Sequence, residues 1–278
     1  MRSILGRSVE GRELTVYWNF PSVPASPASG SSSSLTLLIG GTHGDESATV
    51  PILENFIRAY LESGKVTGPT AVISLLNPDG FARTTRYNAR GVDLNRNFPH
   101  NWNPESEEPS GIAPLSEPEA RCLYDFIVTH RPRKIVSLHW ALAELDADGS
   151  HSVGLAQGMW DSLSPEERKP YRLRLPEPGK PDAGVCTGSL GQWCGHGLLY
   201  PDNRRPAMIT LELPHHPHSR ARAESLSDDH LEIVRNHWDS RPDEYLAGVE
   251  ATVHRLLETA CGFDADAGSR SPGIPPSR

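Results

Sequence analysis

Apolar runs and a helical repeat follow one another in the first third of the chain. Residues 35–39 (LTLLI) and 70–76 (TAVISLL) form continuous apolar or β-branched runs, which are typical of strands buried on both faces of a mostly parallel sheet. Between them, residues 47–61 carry apolar side chains at a spacing close to the helical period. The order strand, helix, strand predicts a βαβ unit, and residues 13–20 (ELTVYWNF) predict an earlier strand.

The second half of the chain predicts further elements of both kinds. A helix is expected to begin with Ser116 as N-cap and Glu119 at the capping-box position, and to end near Thr129. The runs KIVSL at 134–138 and AMITLEL at 207–213 predict two buried strands, separated by an irregular stretch that reaches to about residue 200. Residues 228–261 are predominantly helical in pattern, with an interruption near Pro242.

Together these elements predict a three-layer α/β/α fold with a mixed, mostly parallel central sheet. We expect one domain over residues 1–262, with a flexible loop at 21–34 and a disordered polar tail at 263–278. Residues 77–114 show little periodicity and many Asn, Arg, Gly and Pro residues. A loop of that length in a compact domain is usually functional.

Composition excludes several classes of function. The net charge of -8 and the pI near 5.8 argue against non-specific nucleic-acid binding. No apolar run approaches the ~18 residues of a membrane span, and the first residues lack the apolar core of a signal peptide, so we expect a cytoplasmic protein without a membrane partner. The four cysteines are expected to be free thiols, with Cys186 and Cys194 the one pair close enough in sequence to consider bridging.

Metal-binding side chains follow two of the predicted strands. His43 and Glu46 lie three residues apart directly after the run 35–39, and His139 follows the run 134–138. Because sites form at strand ends in open α/β sheets, these three side chains are a candidate His, Glu, His set for one catalytic zinc, with a position left for water. The alternatives are an ordinary strand-to-helix turn at 40–46 and a partly buried, hydrogen-bonded His139.

Glu212 is a carboxylate between two leucines in the last predicted strand. Burying it without a partner would be expensive, so it must face a cavity, a cation or water. The histidines at 215, 216 and 218 that follow could suggest a second metal site, but alternation with proline favours an exposed loop.

Five segments occur in the order seen in zinc carboxypeptidases of the metallocarboxypeptidase superfamily, which this chain resembles over residues 6–214: GGTHGDE at 40–46, NPDG at 77–80, RYNARGVDLNRNFP at 86–99, SLH at 137–139 and TLELP at 210–214. The segments GRSVEGREL at 6–14 and GSLGQW at 188–193 are most similar to the bacterial branch typified by murein peptide amidase. The resemblance implies a zinc carboxypeptidase-like (phosphorylase/hydrolase-like) fold that holds one zinc ion.

The resemblance also implies roles for individual residues. His43, Glu46 and His139 would bind zinc, and Glu212 would act as general base and then general acid. Arg86 would stabilise the oxyanion, although Arg83 and Arg90 remain alternative assignments.

Residues of the long loop and of segment 190–195 match positions that contact substrate or support the metal. Asn95 and Arg96 would hold a substrate carboxylate, although Arg96 could instead form a surface ion pair. Asp93 would orient His43, its alternative being a turn-capping aspartate. Side-chain selectivity would lie around Leu190. Residues 177–187 lack the mobile tyrosine of the digestive enzymes, so no tyrosine, including Tyr171 and Tyr200, is given a role.

These features predict a zinc peptidase or amidase that hydrolyses an amide beside a carboxylate-bearing residue. For the murein peptide amidase branch, the resemblance implies the γ-D-glutamyl–meso-diaminopimelate bond of murein peptides in peptidoglycan recycling. Three alternatives stay open: a C-terminal carboxypeptidase acting on another peptide or precursor, an N-acyl amino acid acylase of the desuccinylase or aspartoacylase type, and a non-catalytic zinc-binding module. The expected partner is a small peptide with a free carboxylate, and the oligomeric state is not predicted.

Overall fold

The computed structural model describes residues 1–20, 35–177, 186–214 and 242–263. The strands in these ranges are β1 (Arg2–Arg7), β2 (Glu13–Trp18), β3 (Thr36–Ile39), β4 (Thr70–Ile73), β5 (Lys134–Asp148), β6 (Arg172–Arg174) and β7 (Ala207–Pro214). The α-helices are α1 (Thr49–Phe56), α2 (Pro78–Arg83), α3 (Pro118–His130), α4 (Val153–Asp161), α5 (Pro165–Arg168), α6 (Leu190–Gln192) and α7 (Pro242–Gly262). Two helices continue with π geometry, α1 over Ile57–Leu61 and α6 over Trp193–Gly197, and 3₁₀ turns cover Leu94–Arg96 and Ser150–Ser152.

All seven strands belong to one mixed sheet. β1 pairs antiparallel with β2, and β2 pairs antiparallel with β4. β3 lies between β4 and β5 and is parallel to both. The carboxyl ends of β3 and of the first part of β5 therefore point to the same edge of the sheet.

β5 reverses its direction halfway along its length. Its first part follows β7 in ascending register, from Lys134 opposite Ala207 to His139 opposite Glu212 and onward. From Glu144, which is also opposite Glu212, the register with β7 descends, so the second part of β5 runs back along the other side of β7. β6 then pairs with this returning part. Glu212 is consequently flanked by residues of β5 on both sides.

Helices cover both faces of the sheet, which confirms the predicted three-layer architecture. On one face Leu38, Val72 and Val136 pack in a buried cluster with residues of α1, α4 and α7. The alternate residues of the same strands, such as Leu37 and Ile39, pack with residues of α3 and α6 on the other face. Because β3 and β4 lie inside the sheet and between these layers, every residue of both strands is buried.

Most of the predicted elements are confirmed with shifted ends. β2, β3, β4 and β7 coincide with predicted strands, and α1 with its π continuation lies within the predicted helix at 47–61. α7 confirms the helical prediction for residues 242–261. The prediction missed β1 and the short helix α2, which begins inside the segment that was expected to be a loop.

The expected N-cap of α3 is wrong. The helix begins after Glu117, which makes no side-chain cap, and Pro118 occupies its first turn. The hydroxyl of Ser116 donates to Glu117 Oε1 at 2.8 Å and accepts from Asn97 Nδ2 at 3.1 Å. Glu119 accepts from the backbone of Val9 at 3.0 Å instead of closing a capping box. Ser116 and Glu119 therefore form hydrogen bonds with other residues and do not cap the helix.

The region after His139 is also more regular than expected. The strand that was predicted to end there continues through the reversal to Asp148, and α4, α5, β6 and α6 follow before residue 200. Ala143 takes a left-handed φ of 53° at the reversal. Pairing with both sides of β7, a long-range contact, stabilises this course.

Several predictions fall on residues 21–34, 215–241 and 264–278, which lie outside the described residues. These predictions are the flexible loop, the histidine cluster, the helix over 228–241 and the disordered tail. The domain boundaries depend on these segments and therefore stay predictions. The four cysteines are free thiols, as expected, and Cys186 and Cys194 are not bridged. None of the helices in the described ranges is long and apolar enough to cross a membrane.

Candidate metal centre

The turn after β3 presents His43 and Glu46 at the edge of the sheet. Gly41 takes a left-handed φ of 60°, which favours glycine. Gly44 packs against the next loop so closely that a Cβ on it would lie 2.0 Å from the carbonyl carbon of Gly80. These two glycines allow the chain to turn tightly and bring an imidazole and a carboxylate out together.

His43, Glu46 and His139 meet at this edge, and all three are buried. Glu46 Oε1 lies 2.7 Å from His43 Nδ1, and Glu46 Oε2 lies 3.0 Å from His139 Nδ1. The possible ligand atoms all lie within 4.8 Å of one another. Two imidazole nitrogens and a carboxylate are the donor set of catalytic zinc sites, so these residues fit one zinc ion and leave a position for water.

A second residue supports each imidazole on the side away from Glu46. Asp93 Oδ1 lies 3.0 Å from His43 Nε2 and also accepts from the backbone N–H of Asn95, so the contact implied by the resemblance and the turn cap are both present. Ser137 Oγ lies 3.2 Å from His139 Nε2, a contact that sequence analysis missed. The available signal was the spacing: Ser137 precedes His139 by two residues in β5, so both side chains face the same way.

Arg86 lies beside the three candidate ligands. Its Nη2 is 2.9 Å from Asp93 Oδ2, and its Nη1 is 3.5 Å from Glu46 Oε1. The two alternative arginines lie elsewhere: Arg83 pairs with Glu10, and Arg90 lies 3.6 Å from Glu117. Of these three arginines, therefore, Arg86 is the one at the metal centre.

Charges around the centre shift the pKa values of its members in the absence of metal. Burial and Arg86 lower the pKa of His43, but Glu46 and Asp93 outweigh them and raise it to about 9. Burial opposes ionisation of Glu46 and Asp93, yet the adjacent imidazoles hold both carboxyl pKa values well below their ordinary range. The two acids therefore stay ionised at neutral pH and favour positive charge at the centre.

Glu212 lies in β7 at the same edge of the sheet, where it is opposite His139 in the strand pairing. Its Oε2 is hidden from solvent and has no hydrogen-bond partner among the described residues. Burial raises the pKa of Glu212 well above its ordinary value, and the negative charge of Glu46 adds to the shift. A carboxyl group in this environment can both accept and donate a proton near neutral pH.

Asn95 and Arg96 lie in the 3₁₀ turn that follows Asp93. The backbone N–H of Asn95 donates to Asp93 Oδ1 at 2.8 Å, and its side-chain oxygen accepts from the N–H of Leu190 at 2.9 Å. Arg96 Nη1 donates to the carbonyl of Asn95 at 2.9 Å. The Leu190 side chain is 2% exposed and packs in the core. Its contact with substrate stays a prediction.

Tyr171 and Tyr200 are both buried. Tyr171 packs in the core with α4 and α7, and Tyr200 lies in the cluster on the opposite face of the sheet. The hydroxyl of Tyr200 donates to the carbonyl of Pro132 at 2.9 Å.

Comparison with known proteins identifies the family. Residues 1–142 match the family model described as zinc carboxypeptidase. Murein peptide amidase A from Escherichia coli K12 is 34% identical over 225 residues, which cover 75% of this chain and 79% of that protein. The same enzyme from Vibrio campbellii is 32% identical over 225 residues, covering 75% and 77% of the two chains. The crystal structure of a murein-tripeptide amidase from Escherichia coli O157 matches with a TM-score of 0.53 and 26% identity over 91% of both chains. The chain belongs to the zinc carboxypeptidase family.

Proposed function

We propose that this zinc peptidase hydrolyses the γ-D-glutamyl–meso-diaminopimelate bond of murein peptides. The observation that carries the proposal is the convergence of His43, Glu46 and His139 with Glu212 at one edge of the sheet. The relatives named murein peptide amidase, with 34% and 32% identity over three quarters of the chain, support the choice of bond. Such a substrate carries free carboxylates next to the amide that is cleaved.

Zinc, when bound, supplies a Lewis acid that polarises the scissile carbonyl and lowers the pKa of water. Glu212 acts as the general base, accepts a proton from the attacking water and then delivers it to the leaving amine. The carboxyl group holds this proton between the two steps. The partnerless Oε2 has no competing hydrogen bond among the described residues.

Arg86 supplies positive charge beside the scissile carbonyl. The neighbouring Asp93 and Glu46 raise the pKa of its guanidinium despite burial, so it stays charged. Its ion pair with Asp93 also holds it in place before the reaction begins, which reduces the cost of reorganisation as negative charge develops on oxygen.

Asn95 and Arg96 hold the carboxylate of the leaving residue. A guanidinium can donate two parallel hydrogen bonds to a carboxylate, and the adjacent amide adds another donor. Hydrogen bonds from the N–H of Asn95 to Asp93 and from the N–H of Leu190 to the Asn95 side chain hold the turn that carries both residues. Asn95 and Arg96, which together form the proposed carboxylate clamp, are therefore held at a defined distance from the metal centre. This arrangement allows a net acidic protein to bind an acidic substrate locally.

Metal analysis combined with a panel of substrates tests the proposal. We expect one zinc per chain and hydrolysis of L-Ala-γ-D-Glu-meso-diaminopimelate, with activity lost on chelation and restored by zinc. Turnover only of ordinary peptides from the C-terminus, or only of N-acyl amino acids, would replace this function with one of the two enzymatic alternatives. Bound zinc without hydrolysis of any of these substrates would favour a binding module. Cytoplasmic location remains a prediction for cell fractionation to test.

A further inference from the structure

The segment NPDG at 77–80 carries part of the family resemblance, yet the proposed reaction uses none of its residues. Its first residue, Asn77, is completely buried and lies just beyond the end of β4. Because β4 is parallel to β3, Asn77 lies at the edge of the sheet that carries the candidate metal ligands. A buried polar residue needs hydrogen-bond partners. The partners of Asn77 connect two parts of the proposed site.

The backbone of Asn77 is bonded to the turn after β3, which presents two of the candidate metal ligands. The N–H of Asn77 donates to the carbonyl of Gly41 at 2.7 Å, two residues before His43. The N–H of the preceding residue, Leu76, donates to the carbonyl of Gly40 at 3.0 Å. These two bonds extend the parallel pairing of β3 and β4 beyond the ends of the strands. They fix Asn77 relative to the turn after β3.

The side chain of Asn77 is bonded to α2 and to the chain that follows this helix. Its Oδ1 accepts from the N–H of Gly80 at 2.9 Å and thereby caps α2. Its Nδ2 donates to the backbone carbonyl of Arg86 at 3.4 Å. The amide thus uses its acceptor for the helix and its donor for the residue that is assigned to the oxyanion.

Close packing accompanies these hydrogen bonds. A Cβ on Gly80 would lie 2.4 Å from Asn77 Nδ2 and 2.6 Å from the carbonyl oxygen of Tyr87. A Cβ on Gly44, in the turn after β3, would lie 2.0 Å from the carbonyl carbon of Gly80. The first turn of α2 therefore packs against both the turn after β3 and the backbone of residues 86–87, with no room for a side chain at either glycine.

The guanidinium of Arg86 has partners of its own. Its Nη2 lies 2.9 Å from Asp93 Oδ2, and Asp93 also contacts His43. The Asn77 amide adds a contact at the backbone end of Arg86. Both ends of Arg86 are therefore connected to the metal centre, one through Asp93 and the other through Asn77.

We propose that Asn77 is a positioning residue that, through the carbonyl of Arg86, sets where the Arg86 guanidinium lies relative to the metal ligands. This inference rests on the proposed function and deepens it. A guanidinium that is in place before negative charge develops on the scissile carbonyl needs little reorganisation during the reaction. Asn77 acts through Arg86 and contributes no group to the reaction itself.

Asn77→Ser tests this role, because it separates the two hydrogen bonds of the side chain. Serine is about as good an N-cap as asparagine, and the change removes the amide donor to Arg86. We expect kcat on the tripeptide to fall by about 10-fold, since a small misplacement can cost up to about 10²-fold. KM, zinc content and thermal melting should stay close to the wild type, because the carboxylate clamp, the metal ligands and the helix cap are retained. An unchanged kcat would overturn the role of Asn77.

Asn19→Ser is the matched control. Asn19 lies at the other end of β4, where its amide donates to the carbonyls of Val66 and Gly68 and accepts from the N–H of Thr70. Its side chain bridges backbone groups as that of Asn77 does, but away from the metal centre. We expect this variant to melt at a lower temperature with kcat unchanged. An equal fall in kcat would mean that the Asn77 effect is a general loss of structure, and would overturn the positioning role.

A double substitution shows whether Asn77 acts through Arg86. In the Arg86→Ala background, Asn77→Ser should change kcat by less than about 2-fold, because substitutions that remove the same interaction are not additive. A fall by the same factor in both backgrounds would overturn the positioning role and leave the proposed function intact. Hydrolysis of another peptide but not of the tripeptide would overturn the proposed substrate, and the same comparison on that peptide would still test Asn77. Hydrolysis of no peptide by the wild type would overturn both. If Asn77→Ser does not fold, Asn77→Asp provides the second test, because its carboxylate keeps the cap and has no donor.

Discussion

Asp93 Oδ1 lies 3.0 Å from Nε2 of His43, on the side of the imidazole away from Glu46. A carboxylate in this position accepts the Nε2–H and leaves the lone pair of Nδ1 directed toward the candidate metal position. Asp93 is completely buried and also pairs with Arg86, so it joins a metal ligand to the proposed oxyanion residue.

Replacing Asp93 by Asn should weaken zinc binding by about 10- to 100-fold, as expected when the outer partner of a metal-ligating histidine is lost. The affinity is measured by competition with a chromogenic chelator. Asp125→Asn on the exposed face of α3 is the matched control and should bind zinc as the wild type does. Unchanged affinity in the Asp93 variant would show that the carboxylate does not orient His43.

Ser137→Ala should weaken zinc binding by about 10-fold, because it removes the hydroxyl that supports His139. We expect a smaller effect than for Asp93→Asn because the hydroxyl is neutral. The same competition assay measures it. Ser63→Ala provides the control, since the Ser63 hydroxyl is exposed and bonds only to the carbonyl of Ala59 among the described contacts. A variant that binds zinc as tightly as the wild type would remove Ser137 from the metal centre.

Glu212→Gln should keep zinc while kcat falls by about 10²-fold or more, since the amide cannot accept the proton of the attacking water. Zinc content and steady-state kinetics on the tripeptide are measured together. Glu54→Gln, an exposed residue of α1, should leave both unchanged. Survival of activity with full zinc content would mean that another group is the base.

The choice among three arginines can be tested directly. Arg86→Ala should lower kcat/KM by about 10²- to 10³-fold through loss of oxyanion stabilisation. Arg90→Ala removes a guanidinium that is exposed and 3.6 Å from Glu117, so it should retain activity near the wild-type level. Steady-state kinetics on the tripeptide measure both variants. The reverse result would exchange the two assignments.

Zinc binding should release protons from the metal-free protein. The pKa of His43 is raised to about 9, so at pH 7 the imidazole carries a proton that must leave before it can bind zinc. We expect release of about one proton per chain at pH 7 and an affinity that rises as the pH increases toward 9. Calorimetry in buffers of different ionisation enthalpy counts these protons. A binding enthalpy that is independent of the buffer at pH 7 would contradict the raised pKa.

The sequence by itself determined the parts of this protein that depend on short spacings. The largely apolar runs predicted β3, β4 and β7 because strands covered on both faces of a sheet need mainly apolar residues. His43 and Glu46 are three residues apart at a strand end, so their proximity required no knowledge of distant contacts. Glu212 was conspicuous because an acid between two leucines needs a partner or a cavity.

Only the tertiary structure decided which distant residues meet. The reversal of β5 around β7, which brings Asp148 back toward Thr210, arises from pairing on both sides of one strand and has no local signal. Arg83, Arg86 and Arg90 lie close together in sequence and look alike there, whereas the structure pairs Arg86 with Asp93 and Glu46 at the metal centre. The cap predicted at Ser116 failed for the same reason. A local preference of about 1 kcal/mol is outweighed when distant side chains offer a buried group better hydrogen bonds.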